Sequence, residues 1–498
     1  MKNSLSRRRF LQAGLTASAA LTLPTRSLLA SSANEQINVG LIGCGGRGGL
    51  LINSCAKVPG MKVAGLCDPD TARSGKMSEK HKGAKTYTDL RKMIESKDID
   101  AVVVATCNHW HGLASILAMQ AGKHVYVEKP LCQTQWEGQQ VVNAATNSGL
   151  ICQIGTQQRT DPMQSEIKKF LHEEKKLGEI KWVQVNRYGQ RGSIGKRDTP
   201  LAPPKTVDYN LWLGPAKDVP IYRKNFHYDW HWVWNTGSGE MGNWGVHIVD
   251  DVRNNVFQDE VAMPSQVISA GGRFGWNDAG NTPNLHFAVL NAGGIPVTIG
   301  VCNLKMDNYV RWSPGLAGPD SGYVVHCEGG RFEGQRGRAI AYDAETGSEM
   351  AKFGGKSGGN AGGNHQQNFA DAIRANDPSL LNAPIKEGYY STGWCNLANV
   401  GSQVANSGEK VAAKSIQDVV LAMDTPEIAQ VYQGLQKICE QHGGDKAEFA
   451  LGPMLDFDPA QEKFTGGTAE LANSFLRDND YREEFAVPEI KAEQVAAS

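Results

Sequence analysis

Two stretches of the chain gather residue types that move protons. In the first, the apolar run Val125-Tyr126-Val127 leads directly into Glu128-Lys129-Pro130. A lysine fixed by a following proline at the C-terminal end of a strand can polarise or deprotonate a substrate hydroxyl. Composition alone would make Lys129 a solvated surface lysine, so its strand-end position is what singles it out. The second stretch runs from His227 to Asp251 and holds Trp230, His231, Trp232, Trp234, Asn243, His247, Asp250 and Asp251. A helical reading from Gly242 puts Asn243 and His247 four residues apart on one face. Asp250 or Asp251 then lies within reach of the imidazole, where a carboxylate orients the ring and selects its tautomer. Trp230, Trp232, Trp234 and Trp244 suit the faces of a pyranose ring as well as they suit a core. His227 and His231 lack a third ligand, so no metal site is expected.

The elements that must position these groups begin with Ile37–Ile42, read as a buried strand. It runs into Gly43-Cys44-Gly45-Gly46-Arg47-Gly48, a G-x-G-x-x-G turn opening a helix. Such glycines permit a tight turn and let the backbone approach a pyrophosphate at the helix N-terminus. A second strand, Val63–Cys67, ends at Asp68, 20 residues after Gly48, where an acid accepts from a ribose hydroxyl. A carboxylate there disfavours a 2′-phosphate, so NAD is expected rather than NADP. Further strands at Ala101–Ala105 and Ile151–Ile154 end in Thr106-Cys107-Asn108-His109-Trp110-His111 and Gly155-Thr156-Gln157-Gln158-Arg159. Open parallel sheets bind ligands at such ends. The expected cofactor residues are therefore Gly43, Gly45, Gly46, Arg47, Gly48, Asp68, Thr106, Asn108, His111, Glu128, Lys129 and Gln157. Lys129, His247 and Asn243 are the candidate catalytic residues. Arg159, Trp234, Asn243 and His247 are the candidates for holding substrate, and Arg187 is a further strand-end guess.

Beyond a Gly/Pro-rich linker at 189–204, the runs Val267–Ala270, His286–Leu290 and Pro296–Ile299 read as strands of a second, largely antiparallel sheet. Lys352–Asn364 is Gly-rich and reads as a mobile loop, and a helix is expected around Thr425–His442. The expected fold is α/β, an N-terminal Rossmann domain followed by an α+β domain with a large, mostly antiparallel open sheet. The boundaries are expected at 1–33, 34–155, 156–410 and 411–498, the last a C-terminal extension packing on the core.

These residues carry a resemblance to the Gfo/Idh/MocA oxidoreductases, particularly their exported bacterial branch. The matching segments are Gly43–Gly48, Asn108-His109-Trp110-His111, Ala121–Pro130 and Gly155-Thr156-Gln157. The stretch Asp208–Pro215 and the tail from Leu451 to Pro488, with Tyr481-Arg482, resemble that branch too. The resemblance puts the family's Glu-Lys-Pro lysine on Lys129 and its catalytic histidine on His247. The family's aspartate four residues earlier is Asn243 here, and Cys107 stands where proline is usual. Asparagine cannot take a proton, so acid–base work is expected of His247 with Lys129 beside it. The resemblance also implies subunit pairing through the second sheet's outer face, hence a homo-oligomer. It further implies that a helix opening at His365 packs near the Rossmann half.

Lys+Arg is 51 against 52 Asp+Glu, and apolar residues are 40% of the 498. That balance lacks the basic field of a nucleic-acid binder and suits a globular protein with a sizeable core. Residues 1–33 hold five basic residues and no acid, with twin arginines ahead of a 13-residue weakly apolar run from Leu11 to Leu23. This reads as a Tat signal, too short to span a bilayer. It implies passage through the Tat translocon, a periplasmic location, and cysteines that need not pair. No membrane span is expected. The function expected is an NAD(P)-dependent oxidoreductase acting on a secondary alcohol of a sugar, glycoside or polyol, with tightly retained cofactor. Alternatives are a redox-assisted glycosidase or lyase working by transient oxidation, and a non-catalytic carbohydrate-binding protein.

Overall fold

The computed structural model describes residues 36–311, 313–354, 364–408, 413–446, 448–478 and 480–492. Residues 1–33, expected to be a Tat signal, and most of the Gly-rich stretch at 352–364 lie outside the described residues.

Six strands form a parallel sheet: β1 (Ile37–Ile42), β2 (Met61–Cys67), β3 (Lys85–Tyr87), β4 (Ala101–Val104), β5 (His124–Val127) and β6 (Cys152–Ile154). Their spatial order is β3-β2-β1-β4-β5-β6, all parallel. This is the doubly wound order, with a topological switch between β1 and β4 where ligands bind outside the strand C-termini. The central strands are short and apolar because helices cover both faces; β4, Ala-Val-Val-Val, is buried at every position, whereas the edge strand β3 is not. The helix Asn364–Ala375 joins this half. His365 Nε2 meets Ile154 O at 3.0 Å, and Phe369 packs edge-on against Tyr126.

Ten strands form the second sheet: β7 (Ile180–Tyr188), β8 (Gln266–Gly272), β9 (Leu285–Ala292), β10 (Ile295–Cys302), β11 (Ser321–Cys327), β12 (Gly330–Gln335), β13 (Arg338–Asp343), β14 (Glu349–Gly354), β15 (Leu455–Asp458) and β16 (Lys463–Thr465). Their order is β14-β13-β12-β11-β7-β10-β9-β8-β15-β16, and only β7 with β10 is parallel. The three strands read from apolar runs are β8, β9 and β10, each longer by a few residues at its ends.

Alternation along these strands feeds two cores. Val183, Val185, Ala288, Leu290, Val297 and Ile299 face the helices Val246–Asn255 and Ile385–Ala405. Ile268, Phe287, Val289 and Cys302 face the helices Ile416–Met423 and Glu427–Gln441. The face that the resemblance assigns to subunit pairing is thus covered, over β8–β10, by the chain's own C-terminal helices. The last 90 residues are divided among three jobs. Two helices cover that face, β15 and β16 extend the sheet, and the tail reaches back to the parallel half. There Tyr481 OH donates to Glu137 at 2.7 Å, and Phe485 and Val487 are buried in its core.

All ten cysteines are unpaired and eight are buried, in keeping with small apolar core residues. Among the described residues no helix is long and apolar enough to cross a membrane.

Candidate functional site

A cavity of about 430 Å³ opens at the C-terminal ends of β1, β2, β4 and β5. Its floor is the glycine turn. Gly43 needs its left-handed φ of 95°, and a Cβ there would lie 2.5 Å from Ala105 O. A Cβ on Gly48 would stand 1.9 Å from Gly43 O, so Gly48 is what lets the helix Gly46–Cys55 pack on the strand. Nothing lies within 4 Å of a Cβ on Gly46, which faces the cavity. The helix starts at Gly45 with no side-chain cap and no acid in its first turn. Its first N–H groups are therefore available to an anion.

Asp68 leaves β2 at the same edge. Its Oδ2 accepts from Cys44 N and its Oδ1 from Asp70 N, both at 2.8 Å. Burial pushes its carboxyl up to about 6, against those backbone donors and Arg73, which pull it down. Glu128, at the end of β5, is buried. Its Oε1 accepts from Arg47 Nε at 2.8 Å and Gln157 Nε2 at 3.0 Å, while Oε2 has no partner. An unpartnered buried acceptor on a residue that lines the cavity, beside an uncapped helix N-terminus and a glycine floor, fits a dinucleotide.

Opposite stands the helical segment carrying Asn243 and His247. The expected helix is present, but it opens with a π-turn, Met241–Gly245, before Val246–Asn255. Such turns widen a helix and recur at functional sites. Lys129 Nζ donates to Asn243 O at 2.6 Å and to Asn243 Oδ1 at 3.3 Å. Asn243 Nδ2 donates in turn to Glu240 Oε2 at 3.2 Å. Burial lowers the Lys129 ammonium to about 8, with Glu128 opposing the shift.

His247 is buried, and its pKa is driven well below the usual imidazole value. Burial is the largest cause, followed by the nearby cations Arg336, Lys129, Arg47 and Arg187. Arg336 Nη2 lies 3.1 Å from His247 Nδ1. A guanidinium only donates, so Nδ1 must hold the lone pair and the ring proton sits on Nε2. The ring is neutral and presents an N–H.

This corrects the expected carboxylate partner. Asp250 is turned away, with both oxygens on Arg159 Nε at 2.8–2.9 Å and Oδ1 also accepting from Ser391. Asp251 Oδ1 has no partner, and burial pushes its carboxyl up to about 8. Arg159, expected to hold substrate, stands outside the cavity. It is locked between Asp250 and Asp259. Trp234 lies elsewhere, beside a groove with Gly271, Pro283 and Phe475. Gln157 reaches the site only through Glu128 and Tyr126. Gly48 supports the turn from beneath. The other expected residues line the cavity, namely Gly43, Gly45, Gly46, Arg47, Asp68, Thr106, Asn108, His111, Glu128, Lys129, Asn243 and His247.

Sequence reasoning offered Arg187 only as a strand-end guess and missed Arg191, Arg336 and the roof. Arg336 occupies the two-residue turn between β12 and β13, where Gly337 takes the left-handed φ of 69°. The pair Arg336-Gly337 is a legible turn signal, but its meeting with His247, 89 residues away, is not. Arg187 and Arg191 share the buried Glu240. Arg187 and Arg336 both lie over the Trp244 ring, at 4.5 and 5.1 Å. Trp244 is therefore a platform for guanidiniums. Of the four tryptophans, Trp230 and Trp244 line the cavity, and Trp230 stacks on His231 at 3.6 Å.

The roof is the stretch 189–235, of which only 189–204 is expected from sequence to be a linker. It is strapped to the parallel half where β2 ends. Thr71 N donates to Thr206 O at 2.9 Å, Asp208 N to Pro69 O at 2.8 Å, and His227 Nε2 meets Asp70 Oδ2 at 2.9 Å.

Comparisons with known proteins agree with this geometry. Residues 37–156 match the model of an oxidoreductase family described as an NAD-binding Rossmann fold, and residues 189–275 match that family's C-terminal alpha/beta domain. Inositol 2-dehydrogenase 2 of Saccharopolyspora erythraea is 34% identical over 137 residues, 27% of this chain and 40% of that protein. The 4-carboxy-2-hydroxymuconate-6-semialdehyde dehydrogenase of a Sphingobium species is 23% identical over 189 residues, 37% of this chain and 58% of that one. The chain thus spans about half the length of the curated relatives it matches. The crystal structure of the WlbA dehydrogenase from Bordetella pertussis, in complex with NADH and UDP-GlcNAcA, superposes with a TM-score of 0.54 at 18% identity. That match covers 74% of this chain and 97% of the other, and it shows a shared fold. With the doubly wound half, the strand-end lysine and the facing histidine in one cavity, the chain belongs to the Gfo/Idh/MocA oxidoreductase family.

Proposed function

We propose that the protein is a nicotinamide-dependent oxidoreductase that acts on a secondary alcohol of a sugar, glycoside or polyol. The observation that carries this reading is the convergence of Lys129 and His247 on the cavity that holds the glycine turn. The parallel-sheet domain supplies one, the domain of the ten-stranded sheet the other.

The glycine turn, the open helix N-terminus, Asp68 and Glu128 Oε2 would hold the dinucleotide. Bound there, its nicotinamide supplies an acceptor for the carbon-bound hydrogen of the alcohol. The work of the chain's own residues is with the hydroxyl proton. A neutral Lys129 has two N–H groups, and Asn243 O and Oδ1 can accept both. The remaining lone pair is then directed away from Asn243 and takes the substrate proton at Nζ. A lysine lowered to about 8 holds enough of the neutral form near neutral pH to act. His247 has the opposite task. Its Nε2–H donates to the oxygen that becomes negative as the proton leaves, and its own pKa is too low for it to arrive charged. Asn243 serves as a positioning residue, holding Nζ where the missing aspartate would otherwise have stood.

Asp68 favours NAD, since a carboxylate accepts from a free 2′-hydroxyl and repels a phosphate. The roof straps support slow exchange of the bound cofactor. They also favour the second reading, transient oxidation followed by elimination at a glycosidic bond, in which the cofactor never leaves. A Tat-directed, periplasmic enzyme would need such retention.

The test is to denature the purified protein, quantify released nucleotide by mass spectrometry, and screen neutral and charged sugars and glycosides for both oxidation and bond cleavage. Stoichiometric NAD or NADH with turnover of a sugar supports the proposal. An empty protein that also fails to bind added nucleotide sinks it.

A further inference from the structure

The cations around the reacting end of the cavity are not balanced. Arg47 is matched by Glu128, with Nη2 at 2.7 Å from Oε1. Arg187 and Arg191 both pair with the single buried carboxylate of Glu240. Arg336 forms no ion pair among the described residues, and its Nε is buried with no hydrogen-bond partner. Its one polar contact is with a neutral imidazole, His247. The carboxylate beside it, Asp251, makes no hydrogen bond or ion pair with it among the described residues, its Oδ1 is without a partner, and burial favours its neutral form.

Leaving a guanidinium in this condition is costly, because a buried charge without a partner loses hydration and gains nothing in return. Natural sites hold such a group where a ligand completes it. Its position says which ligand. Arg336 is carried on a rigid hairpin tip from the second sheet, on the side of His247 and Trp244. The glycine turn that fits a pyrophosphate belongs to the parallel half. The vacant donors of Arg336 therefore address the substrate. A planar fork of N–H groups matches a planar carboxylate, which takes two parallel hydrogen bonds from it.

We infer that the substrate is an acidic sugar, a uronate or aldonate whose carboxylate is bound by Arg336 while Lys129 and His247 act on a ring or chain hydroxyl. This deepens the proposed function and rests on it for the location of the reacting hydroxyl. The carboxylate would give Arg336 its missing partner. It would also leave the His247 Nε2–H free for the reacting oxygen, because Arg336 holds His247 from the far nitrogen.

The experiment uses the full folded chain with NAD added. Glucuronate, galacturonate and gluconate are compared with glucose, methyl glucoside, myo-inositol and glucose 6-phosphate, by NAD reduction and, separately, by equilibrium binding followed through tryptophan fluorescence. The expected result is at least a tenfold lower KM and dissociation constant for one of the acids than for its neutral counterpart. In Arg336→Gln the ratio of acid to neutral falls to near one, and Arg336→Lys recovers part of it. Thermal unfolding of each variant verifies that it is folded.

Equal use of neutral sugars by the wild type would overturn the inference and leave the dehydrogenase reading standing. So would a preference for the phosphorylated sugar. An Arg336→Gln variant that loses NAD affinity rather than acid affinity would make Arg336 a cofactor anchor and likewise end the inference. Tight binding of an acid that depends on Arg336, without any hydride transfer, would uphold the carboxylate site and overturn the proposed activity instead.

Discussion

Lys129 Nζ donates to two oxygens of one residue, the main-chain O and the side-chain Oδ1 of Asn243, at 2.6 and 3.3 Å. That pairing fixes the direction of the lysine lone pair, and it replaces a charge with a dipole at the position where an acid would hold the lysine protonated. The pH dependence of the reaction should report it directly. In the oxidative direction kcat/KM is expected to climb about tenfold per pH unit and level off above pH ~8, where Lys129 is neutral. Lys129→Met should lower kcat by roughly 10²–10⁴-fold while NAD still binds. Asn243→Asp places a carboxylate beside the ammonium, which raises a neighbouring lysine by about 1–3 units. Its rate profile should therefore move to higher pH, and an unmoved profile would remove Lys129 from the role of base.

The glycine turn separates two kinds of constraint, and two alanine substitutions distinguish them. Gly48→Ala drives a methyl to 1.9 Å from Gly43 O, and backbone there cannot yield cheaply. Loss of folding, or a Tm lowered by many degrees, is expected. Gly46→Ala meets nothing within 4 Å and should leave stability within about 1 kcal/mol. Its methyl stands in the cavity, so NAD affinity should fall by about tenfold or more. Calorimetric unfolding and NAD titration on the two proteins would settle it, and equal NAD affinity in Gly46→Ala and wild type would place the cofactor elsewhere.

Asp68 should make cofactor binding sensitive to acid. A ribose hydroxyl donates to the ionised carboxylate, and burial has brought that ionisation up to about pH 6. NAD affinity is expected to be steady above pH 7 and to weaken progressively below 6. Asp68→Asn should flatten this dependence and narrow the preference for NAD over NADP. Titrations at pH 5 and pH 8 suffice to check it.

Asp251 sets a stability profile of its own. Its carboxyl is raised to about 8 by burial first and by Asp250 second. The folded state then holds a proton that the unfolded chain releases near pH 4, so this residue's contribution to stability falls as pH rises from about 4 to 8. Asp251→Asn keeps the volume and removes the titration. The variant should match the wild type near pH 4 and exceed it at pH 8, by on the order of 5 kcal/mol for about four units at about 1.4 kcal/mol per unit. Denaturant midpoints at the two pH values measure the difference, and a constant offset would refute the assignment.

The cofactor half was readable because its signals are local. An apolar run, a glycine turn and an acid at the next strand end all lie within about 30 residues of each other, and each constrains the backbone directly. Lys129 was readable for the same reason. The partners of His247 were not. Spacing along the helix pointed to Asp250 and Asp251, yet the π-turn at Met241–Gly245 and the pull of Arg159 turn Asp250 elsewhere. The real partner, Arg336, arrives from a hairpin on another sheet, and nothing near either residue encodes that meeting. Arg159 and Trp234 stand outside the cavity for different reasons: two carboxylates hold Arg159, and Trp234 faces a separate groove. The stretch at 189–204 reads as a linker because it lacks periodicity, although the roof it opens spends backbone bonds on Pro69 and Thr71 just beyond, at Thr206 and Asp208.

The tail that returns to the parallel half carries a consequence for the order of assembly. Phe485 and Val487 sit in that half's core, Ile490 N donates to Gln140 Oε1 at 2.7 Å, and Ile490 O accepts from Asn143 Nδ2 at 2.6 Å. The parallel half therefore cannot close its surface until residues 485–490, far downstream, have emerged. During synthesis it waits with an open apolar seam, which that distant segment seals. A chain cut short before Phe485 would spoil a half that was made long before the break.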